Sequence, residues 1–121
     1  MTHRIDLPWT RPPLSANQRM HWAAKARTTR EVRQTACLLA RKAPRTDRLV
    51  VTLHYRPRVK RIRDTINLAP LIKACVDGLV DAKVAPSDDH EHVSTPEPVI
   101  HPPSTTPAMW LELEYPNGEL K

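Results

Sequence analysis

The chain has 121 residues, of which 13 are proline, two are glycine and none is phenylalanine, and its formal net charge is +6. A chain of this length builds a single domain, residues 1–121, and gains much from dimerisation. Because it has no apolar run of about 18 residues, and its first residues alternate instead of forming a signal-peptide core, the sequence argues against a membrane or secreted protein and predicts a cytoplasmic one.

Charge is divided unevenly along the chain. Residues 1–63 hold 16 Lys and Arg against 3 Asp and Glu, whereas residues 64–121 hold 3 against 10. Such a division suits a protein that binds a polyanion with one part and a metal ion with another. An ordinary solvated surface, with charges that pair across the fold, explains the same pattern equally well.

The first half of the chain predicts a strand, a helix and a second strand. Residues 3–9 alternate and close on proline, which is typical of a short strand at a sheet edge. A helix is predicted from residue 28 or 29 to about residue 42, before Pro44. Residues 49–55 form a nearly continuous β-branched and apolar run, which predicts a central strand.

The clearest helix begins near residue 68 or 69. Its apolar positions recur at i, i+3, i+4, i+7 and i+11, namely Leu68, Leu71, Ile72, Cys75 and Leu79. That stripe faces the core. Pro70 falls in the first turn of the helix, where a backbone N–H would have no acceptor within the helix, so its absence costs nothing. Residues 64–67 therefore form the turn that precedes the helix. Lys73, Asp77 and Asp81 recur every four residues on the polar face, where i,i+4 charge contacts on a solvated surface are the plain interpretation.

After the acidic loop, which ends with residues 88–92, the chain returns to short strands. Residues 92–94 and 98–101 are candidate strands, and residues 108–115 alternate as a final one. Prolines cluster in residues 96–107, which predicts an extended connection. The order of elements predicts an α/β or α+β fold in which two main helices cover a small mixed sheet.

Several residues of potential chemical interest have simpler explanations. Cys37 and Cys75 fall on apolar faces of predicted helices, which favours buried residues over a disulfide or a metal pair. Residues 90–92 read His-Glu-His, but without a third ordered ligand they are better interpreted as a solvated loop. The three tryptophans are expected in the core or at a dimer interface instead of stacking on bases.

The strongest functional signal is the central motif, residues 61–93. It contains RIRDTINL from Arg61, KACVDGLVDA from Lys73 and VAPSDD from Val84. These stretches resemble the central motif of the RusA-like Holliday-junction resolvases, where a basic strand end leads to Asp-x-Asp-Asn-Leu, a helix carries Lys and Asp-[Ala/Gly]-Leu, and an Asp pair closes the motif. Residues 12–17, PPLSAN, resemble the opening of that family, so the similarity spans most of the chain.

The resemblance implies a homodimeric, magnesium-dependent endonuclease that cuts four-way DNA junctions symmetrically, with Mn²⁺ as the alternative ion. Such proteins are often encoded by phages and prophages, so the cytoplasm in which this one is expected to act is that of the host if a phage encodes it. By this resemblance Asp64, Lys73 and Asp88 are catalytic. Asp64 and Asp88 bind metal, with Asp89 as a one-residue alternative to Asp88. Asp77 matches an acid on the helix whose expected role is structural.

A basic segment precedes Asp64 and is expected to guide the phosphate backbone of branched DNA toward it. Its members are Arg56, Arg58, Lys60, Arg61 and Arg63. Three arginines of the first predicted helix extend the same track, namely Arg30, Arg33 and Arg41. Such contacts position DNA without reading its bases, so recognition should follow DNA shape and weaken as salt rises.

Ile66 departs from the family pattern, because it stands where the second Asp of Asp-x-Asp belongs. An isoleucine cannot ligate a hard cation. Three outcomes follow. Asp89 or Glu91 substitutes for the missing ligand; or water fills the place and activity is weak; or the site is dead and the protein binds branched DNA without cutting it.

Overall fold

The computed structural model describes residues 1–120. Its strands are β1 (Thr2–Leu7), β2 (Leu49–Arg56), β3 (Val93–Ser94), β4 (Val99–Ile100) and β5 (Ala108–Glu114), and its helices are α1 (Trp22–Leu39) and α2 (Ala69–Asp81), the latter preceded by a 3₁₀ turn (Thr65–Leu68). Five strands and two helices confirm the predicted α+β class.

The sheet is mixed, and β2 lies inside it. β5 pairs antiparallel with both β1 and β2, while β3 and β4 pair parallel with the other edge of β2. The predictions of a central strand at residues 49–55 and of an edge strand at the N-terminus are therefore confirmed. Neighbouring strands bring Ile5, Leu53 and Leu111 side by side on one face, and all three are buried.

Both helices contribute to the same core as that sheet face. The predicted apolar stripe of α2 is buried at Leu68, Leu71, Cys75 and Leu79, and α1 adds Val32 and Ala36. The helices approach closely at Gly78, where a Cβ would lie 2.7 Å from the Cβ of Ala36. A larger residue at position 78 would therefore push the helices apart.

The predicted bounds of the first helix are wrong at both ends. α1 begins at Trp22, six residues before the earlier of the two predicted starts, because the side chain of His21 accepts the amide of Ala23 at 3.2 Å and caps the helix. It ends at Leu39, before Pro44 is reached. Ala40 is fully buried, and its amide still donates to the carbonyl of Ala36 at 3.0 Å.

The opposite face of the sheet carries a cluster of aromatic and basic side chains. Trp110 stacks on His54, with ring centroids 5.2 Å apart, and the guanidinium carbon of Arg4 lies 4.2 Å from the Trp110 ring centre. His101, just after β4, lies 2.8 Å from His54 between ring nitrogens. This cluster fastens the proline-rich connection to the sheet and buries Trp110. Of the other two tryptophans, which are also expected in the core or at a dimer interface, Trp9 is partly buried and Trp22 is 77% exposed.

Both cysteines are free thiols. Cys75 is buried, and burial raises the pKa of its thiol to about 12, so it is inert at neutral pH. Cys37 is only partly buried. Over residues 1–120, none of the helices has the length and apolar character that crossing a membrane requires.

Candidate active site and nucleic-acid interface

The 3₁₀ turn sets the start of α2 and the position of Asp64. The carbonyl of Asp64 accepts the amide of Asn67 at 3.0 Å, and the carbonyl of Asn67 accepts the amide of Ala16 at 2.9 Å. Leu68, at the end of the turn, is buried in the core. The Asp64 side chain is exposed, and it lies between the basic segment and the turn that leads into α2.

Lys73 joins two carboxylates on the polar face of α2. Its Nζ lies 3.0 Å from Oδ1 of Asp77 and makes a second ion pair with Asp88 from the loop that follows α2. Asp88 first and Asp77 second raise the pKa of Lys73, and Lys73 lowers the pKa of Asp88. Lys73 thus remains positively charged at neutral pH and ties the acidic loop to α2, although solvent screens these exposed pairs.

Lys73 and Asp88 line a cavity of about 390 Å³, here called the acidic cavity. Its lining residues are Thr65, Ile66, Ala69, Ile72, Lys73, Val76, Asp88, Val93, Thr95, Pro96, Glu97 and Pro98. The walls come from the start of α2, the acidic loop and the segment between β3 and β4. The cavity brings two carboxylates, Asp88 and Glu97, together with one ammonium group.

Glu97 is a residue of this cavity that no sequence pattern indicates. The hydroxyl of Thr65 donates to its Oε1 at 2.9 Å. Ile66, the next residue along the turn, lines the same cavity and is 72% exposed. A carboxylate therefore stands beside the position where the resemblance expects an aspartate. The position of Glu97 depends on how β3 and β4 pair with β2. The sequence around it does not reveal this pairing, because its prolines indicate only an extended connection.

A second cavity, of about 790 Å³, lies beside the same turn and is here called the basic cavity. Its lining residues are Thr10, Arg11, Pro12, Ser15, Asn17, Tyr55, Arg58, Val59, Arg61, Ile62, Arg63, Asp64, Asn67, Leu68 and Pro107. Three of the five predicted DNA-binding residues are among them. Arg63 is held by the carbonyls of Val59 and Arg61 at 3.1 and 3.2 Å, and its guanidinium lies 5.5 Å from the Tyr55 ring centre.

The other two predicted DNA-binding residues lie outside the basic cavity. Arg56 belongs to the opposite face of the sheet, where its Nε donates to the carbonyl of Thr106 at 2.9 Å and its guanidinium lies 5.7 Å from the Trp110 ring centre. Lys60 is exposed on the loop between Arg58 and Arg61. The basic surface beside Asp64 therefore centres on the arginines of that loop.

The first helix contributes less to this surface than its sequence suggests. Arg33 donates two hydrogen bonds to Asp81, at 2.6 and 2.8 Å. This pair raises the pKa of Arg33 and lowers the pKa of Asp81. Asp81 therefore pairs with α1 instead of continuing an i,i+4 series on α2, and Arg33 is already engaged within the fold.

The predicted metal-binding aspartates do not form one cluster. Asp64 lines the basic cavity and Asp88 the acidic cavity. Asp89 lines neither, because its Oδ1 accepts from Nδ1 of His92 at 2.7 Å and from the amide of Glu91 at 3.0 Å. The bond from His92 lowers the pKa of Asp89. Across residues 1–120, no three His, Cys, Asp or Glu side chains are grouped closely enough to hold a metal ion.

Comparison with known proteins identifies a relative but does not indicate an activity for this chain. No family model matches the chain. An uncharacterized protein of Xylella fastidiosa (strain Temecula1) is 30% identical over 99 residues, which cover 76% of this chain and 63% of that protein. The chain thus spans less than two thirds of the length of this relative.

Proposed function

We propose that this chain is a RusA-like endonuclease that resolves four-way or other branched DNA junctions in recombination and repair, with Mg²⁺ as its cofactor and Mn²⁺ as the alternative ion. The observation that carries the proposal is that a basic and an acidic cavity adjoin one 3₁₀ turn, which begins directly after Asp64. A nuclease needs both, because it must bind a polyanion and act on one of its phosphates.

The basic cavity supplies the DNA-binding step. Arg58, Arg61 and Arg63 bring three guanidinium groups to one concave surface. Guanidinium groups donate to phosphate oxygens in a forked geometry, and such contacts fix the position of a duplex without reading its bases. Recognition therefore depends on the shape of the junction, and affinity falls steeply with salt.

The donors near the 3₁₀ turn fit magnesium in kind. The acidic cavity offers carboxylate oxygens, and neither His nor Cys is among its lining residues. Magnesium is commonly held by one or two carboxylates together with waters and substrate phosphates, so a site without three protein ligands still suits it. Asp88 in this cavity and Asp64 in the basic cavity would hold the ion, with Asp89 as the one-residue alternative to Asp88. A bound ion supplies positive charge and an acidified water at the scissile phosphate.

Lys73 is the catalytic group that the protein itself supplies. A lysine is ordinarily protonated at neutral pH, and two carboxylates raise the pKa of Lys73 further, so its ammonium can stabilise the negative charge that develops on the phosphate during cleavage. Asp77 orients the ammonium through its 3.0 Å contact with Nζ. Because Asp77 touches Lys73 and not the reacting atoms, its role is positioning.

The proposed working unit is a homodimer in the cytoplasm, which is that of the host if a phage encodes the chain. A twofold axis places two equivalent sites on the two strands of like polarity in a twofold-symmetric junction. Paired, symmetric cuts then require no second kind of subunit.

A second candidate function is binding of branched DNA without cleavage. Ile66 and the absence of a three-ligand group within residues 1–120 favour it. In this version the arginines of the basic cavity still bind the junction, but no ion is held firmly enough to cut it.

Cleavage of an end-labelled four-way junction, with and without Mg²⁺, tests the proposal, with a linear duplex of the same sequence as the control. The nuclease proposal predicts metal-dependent, paired nicks on the junction alone. Tight junction binding without nicks would favour the second candidate. Equal cleavage of the linear duplex, or no DNA binding at all, would overturn the junction-resolving function.

A further inference from the structure

Trp22 is a large aromatic side chain that the fold leaves in solvent. It is 77% exposed, whereas Trp110 is buried and Trp9 is partly buried against the core. The Trp22 ring lies beside His21, with ring centroids 5.5 Å apart. Ala26, one turn further along α1, has no side chain beyond Cβ to cover it. Because an exposed indole keeps a large apolar area in water, a partner that covers it gains free energy.

The surface around Trp22 is basic and free of acids. Residues 7–30 contain five Arg and Lys side chains and no Asp or Glu. All five are exposed, and within residues 1–120 none of them forms an ion pair. They are Arg11, Arg19, Lys25, Arg27 and Arg30. Lys25 shares a face of α1 with Trp22, because residues i and i+3 are neighbours on a helix. An apolar ring is thus combined with positive charge that no carboxylate neutralises.

The chain leads directly from the basic cavity to Trp22. Ser15 and Asn17 line that cavity, and the amide of Ala16 donates to the carbonyl of Asn67 at 2.9 Å, which fixes this segment beside the 3₁₀ turn. Five residues further along the chain, the Cα atom of Trp22 lies within about 18 Å of that of Asn17. One strand of a duplex covers this distance in about five nucleotides, at about 3.4 Å each. DNA held in the basic cavity therefore reaches Trp22.

A second copy of this chain fits this surface poorly. A twofold contact centred on Trp22 would bring the same basic residues of both copies together, and like charges repel. A polyanion instead neutralises them. Within a duplex the bases are stacked on one another, whereas an unpaired base presents a flat π face that can stack on an aromatic side chain. The surface therefore suits DNA that carries an unpaired base.

We propose that Trp22 stacks on an unpaired base of the bound DNA while the surrounding cations contact its phosphates. This inference rests on the DNA-binding step of the proposed function, and it specifies the substrate as a branch point at which at least one base is unpaired. Stacking of this kind tolerates every base, because every base has a π face. The contact therefore favours branched over linear DNA without adding sequence specificity.

Intrinsic tryptophan fluorescence of the purified full chain, titrated with an oligothymidylate about ten nucleotides long, detects the stack directly. Trp22 is the most exposed of the three tryptophans, so the bound oligonucleotide should quench the emission of the wild type. Trp22→Phe keeps a ring that can stack but removes the exposed indole. This variant should still bind the oligonucleotide, and the emission of its remaining tryptophans, Trp9 and Trp110, should stay nearly constant.

Trp22→Ala removes the ring, and its binding is followed by the fluorescence anisotropy of a labelled oligonucleotide. Its affinity should be lower by about 5–150-fold, which is the effect of losing one base–aromatic stack. The slope of log affinity against log salt should not change, because no positive charge is lost, and affinity for a linear duplex should equal that of the wild type. Leu38→Ala, which removes another exposed apolar side chain from α1, is the matched control and should bind as the wild type does. Thermal unfolding verifies that each variant is folded.

Several results would overturn the proposal. Trp22→Ala would bind the oligonucleotide as tightly as the wild type, Leu38→Ala would lose as much affinity, or saturating oligonucleotide would leave the wild-type emission unchanged. A salt slope that falls together with the affinity of Trp22→Ala would assign the loss to displaced cations. Sedimentation that shows a dimer for the wild type and a monomer for Trp22→Ala would place Trp22 in a subunit interface instead.

Junction cleavage by the same proteins separates this inference from the proposed function. Cleavage by the wild type, together with unchanged oligonucleotide binding in Trp22→Ala, would keep the nuclease and reject the stacking role. Oligonucleotide binding that depends on Trp22, without any cleavage of junctions, would keep the stacking role and reject the nuclease.

Discussion

Replacing Gly78 by alanine tests how closely α1 and α2 approach. The new Cβ would contact the carbonyl oxygen of Arg33 and would lie 2.7 Å from Cβ of Ala36 and 2.9 Å from the amide nitrogen of Cys37. These atoms belong to the backbone of α1 or to its first side-chain carbon, so they cannot rotate away. Because all three contacts are shorter than 3.0 Å, overpacking here should cost the upper part of its usual range, about 2–3 kcal/mol. Alanine recovers about 1 kcal/mol through its helix propensity, which leaves a net loss of about 1–2 kcal/mol.

Urea unfolding followed by circular dichroism measures this loss as a lower midpoint with an unchanged slope. In a thermal scan it corresponds to a fall in Tm of about 3–8 °C. Ala36→Gly removes one of the opposing carbons, so it should cost less in the Gly78→Ala background than in the wild type. If Gly78→Ala is as stable as the wild type, the helices do not meet at the distance described, and the placement of Lys73 on α2 needs revision.

Three further predictions concern the site and the sheet. Asp64→Asn and Asp88→Asn should each abolish junction cleavage and leave junction binding intact, because the amide keeps the shape and loses the charge that holds a cation; cleavage that survives both would reject the carried-over site. Arg61→Ala should weaken binding to all sequences alike and reduce the slope of log affinity against log salt by about 1, and an unchanged slope would remove Arg61 from the DNA surface. Burial lowers the pKa of His54 below its ordinary value of 6.5, so the unfolded chain binds more protons than the folded one and the free energy of unfolding should fall as pH drops below that value. Urea unfolding at about pH 7.5 and 5.5 should show a smaller loss in His54→Gln; equal losses would mean that another group causes the pH dependence.

The elements that the sequence predicts best are those whose local pattern and tertiary packing agree. Residues 49–55 form a nearly continuous β-branched and apolar run, and the strand is paired on both edges. The stripe of α2, with Pro70 in its first turn, fixes that helix to within about a residue. The start of α1 is not predicted, because residues 22–27 carry no buried apolar repeat and because histidine is an unusual helix cap.

The candidate site is only partly predictable for a related reason. The contact between Lys73 and Asp77 is local, so helical spacing predicts it. The contact between Lys73 and Asp88 needs only that the acidic loop fold back over α2. By contrast, the separation of Asp64 from Asp88 and the position of Glu97 depend on β3 and β4. Each of these strands is two residues long and pairs with β2, which is distant in sequence. Such short strands have too little pattern to reveal their partner.

The position of β5 has a consequence for the order of folding. β5 is the last strand along the chain, yet it lies between β1 and β2, and in residues 1–120 it is the sole partner of β1. β1 therefore lacks its partner strand until about one hundred further residues have been made. Contacts so distant in sequence are slow to form, because loop closure must precede them. During synthesis one edge of β1 and one edge of β2 stay unpaired until β5 is made, so a nascent chain that stops before Ala108 can complete neither pairing.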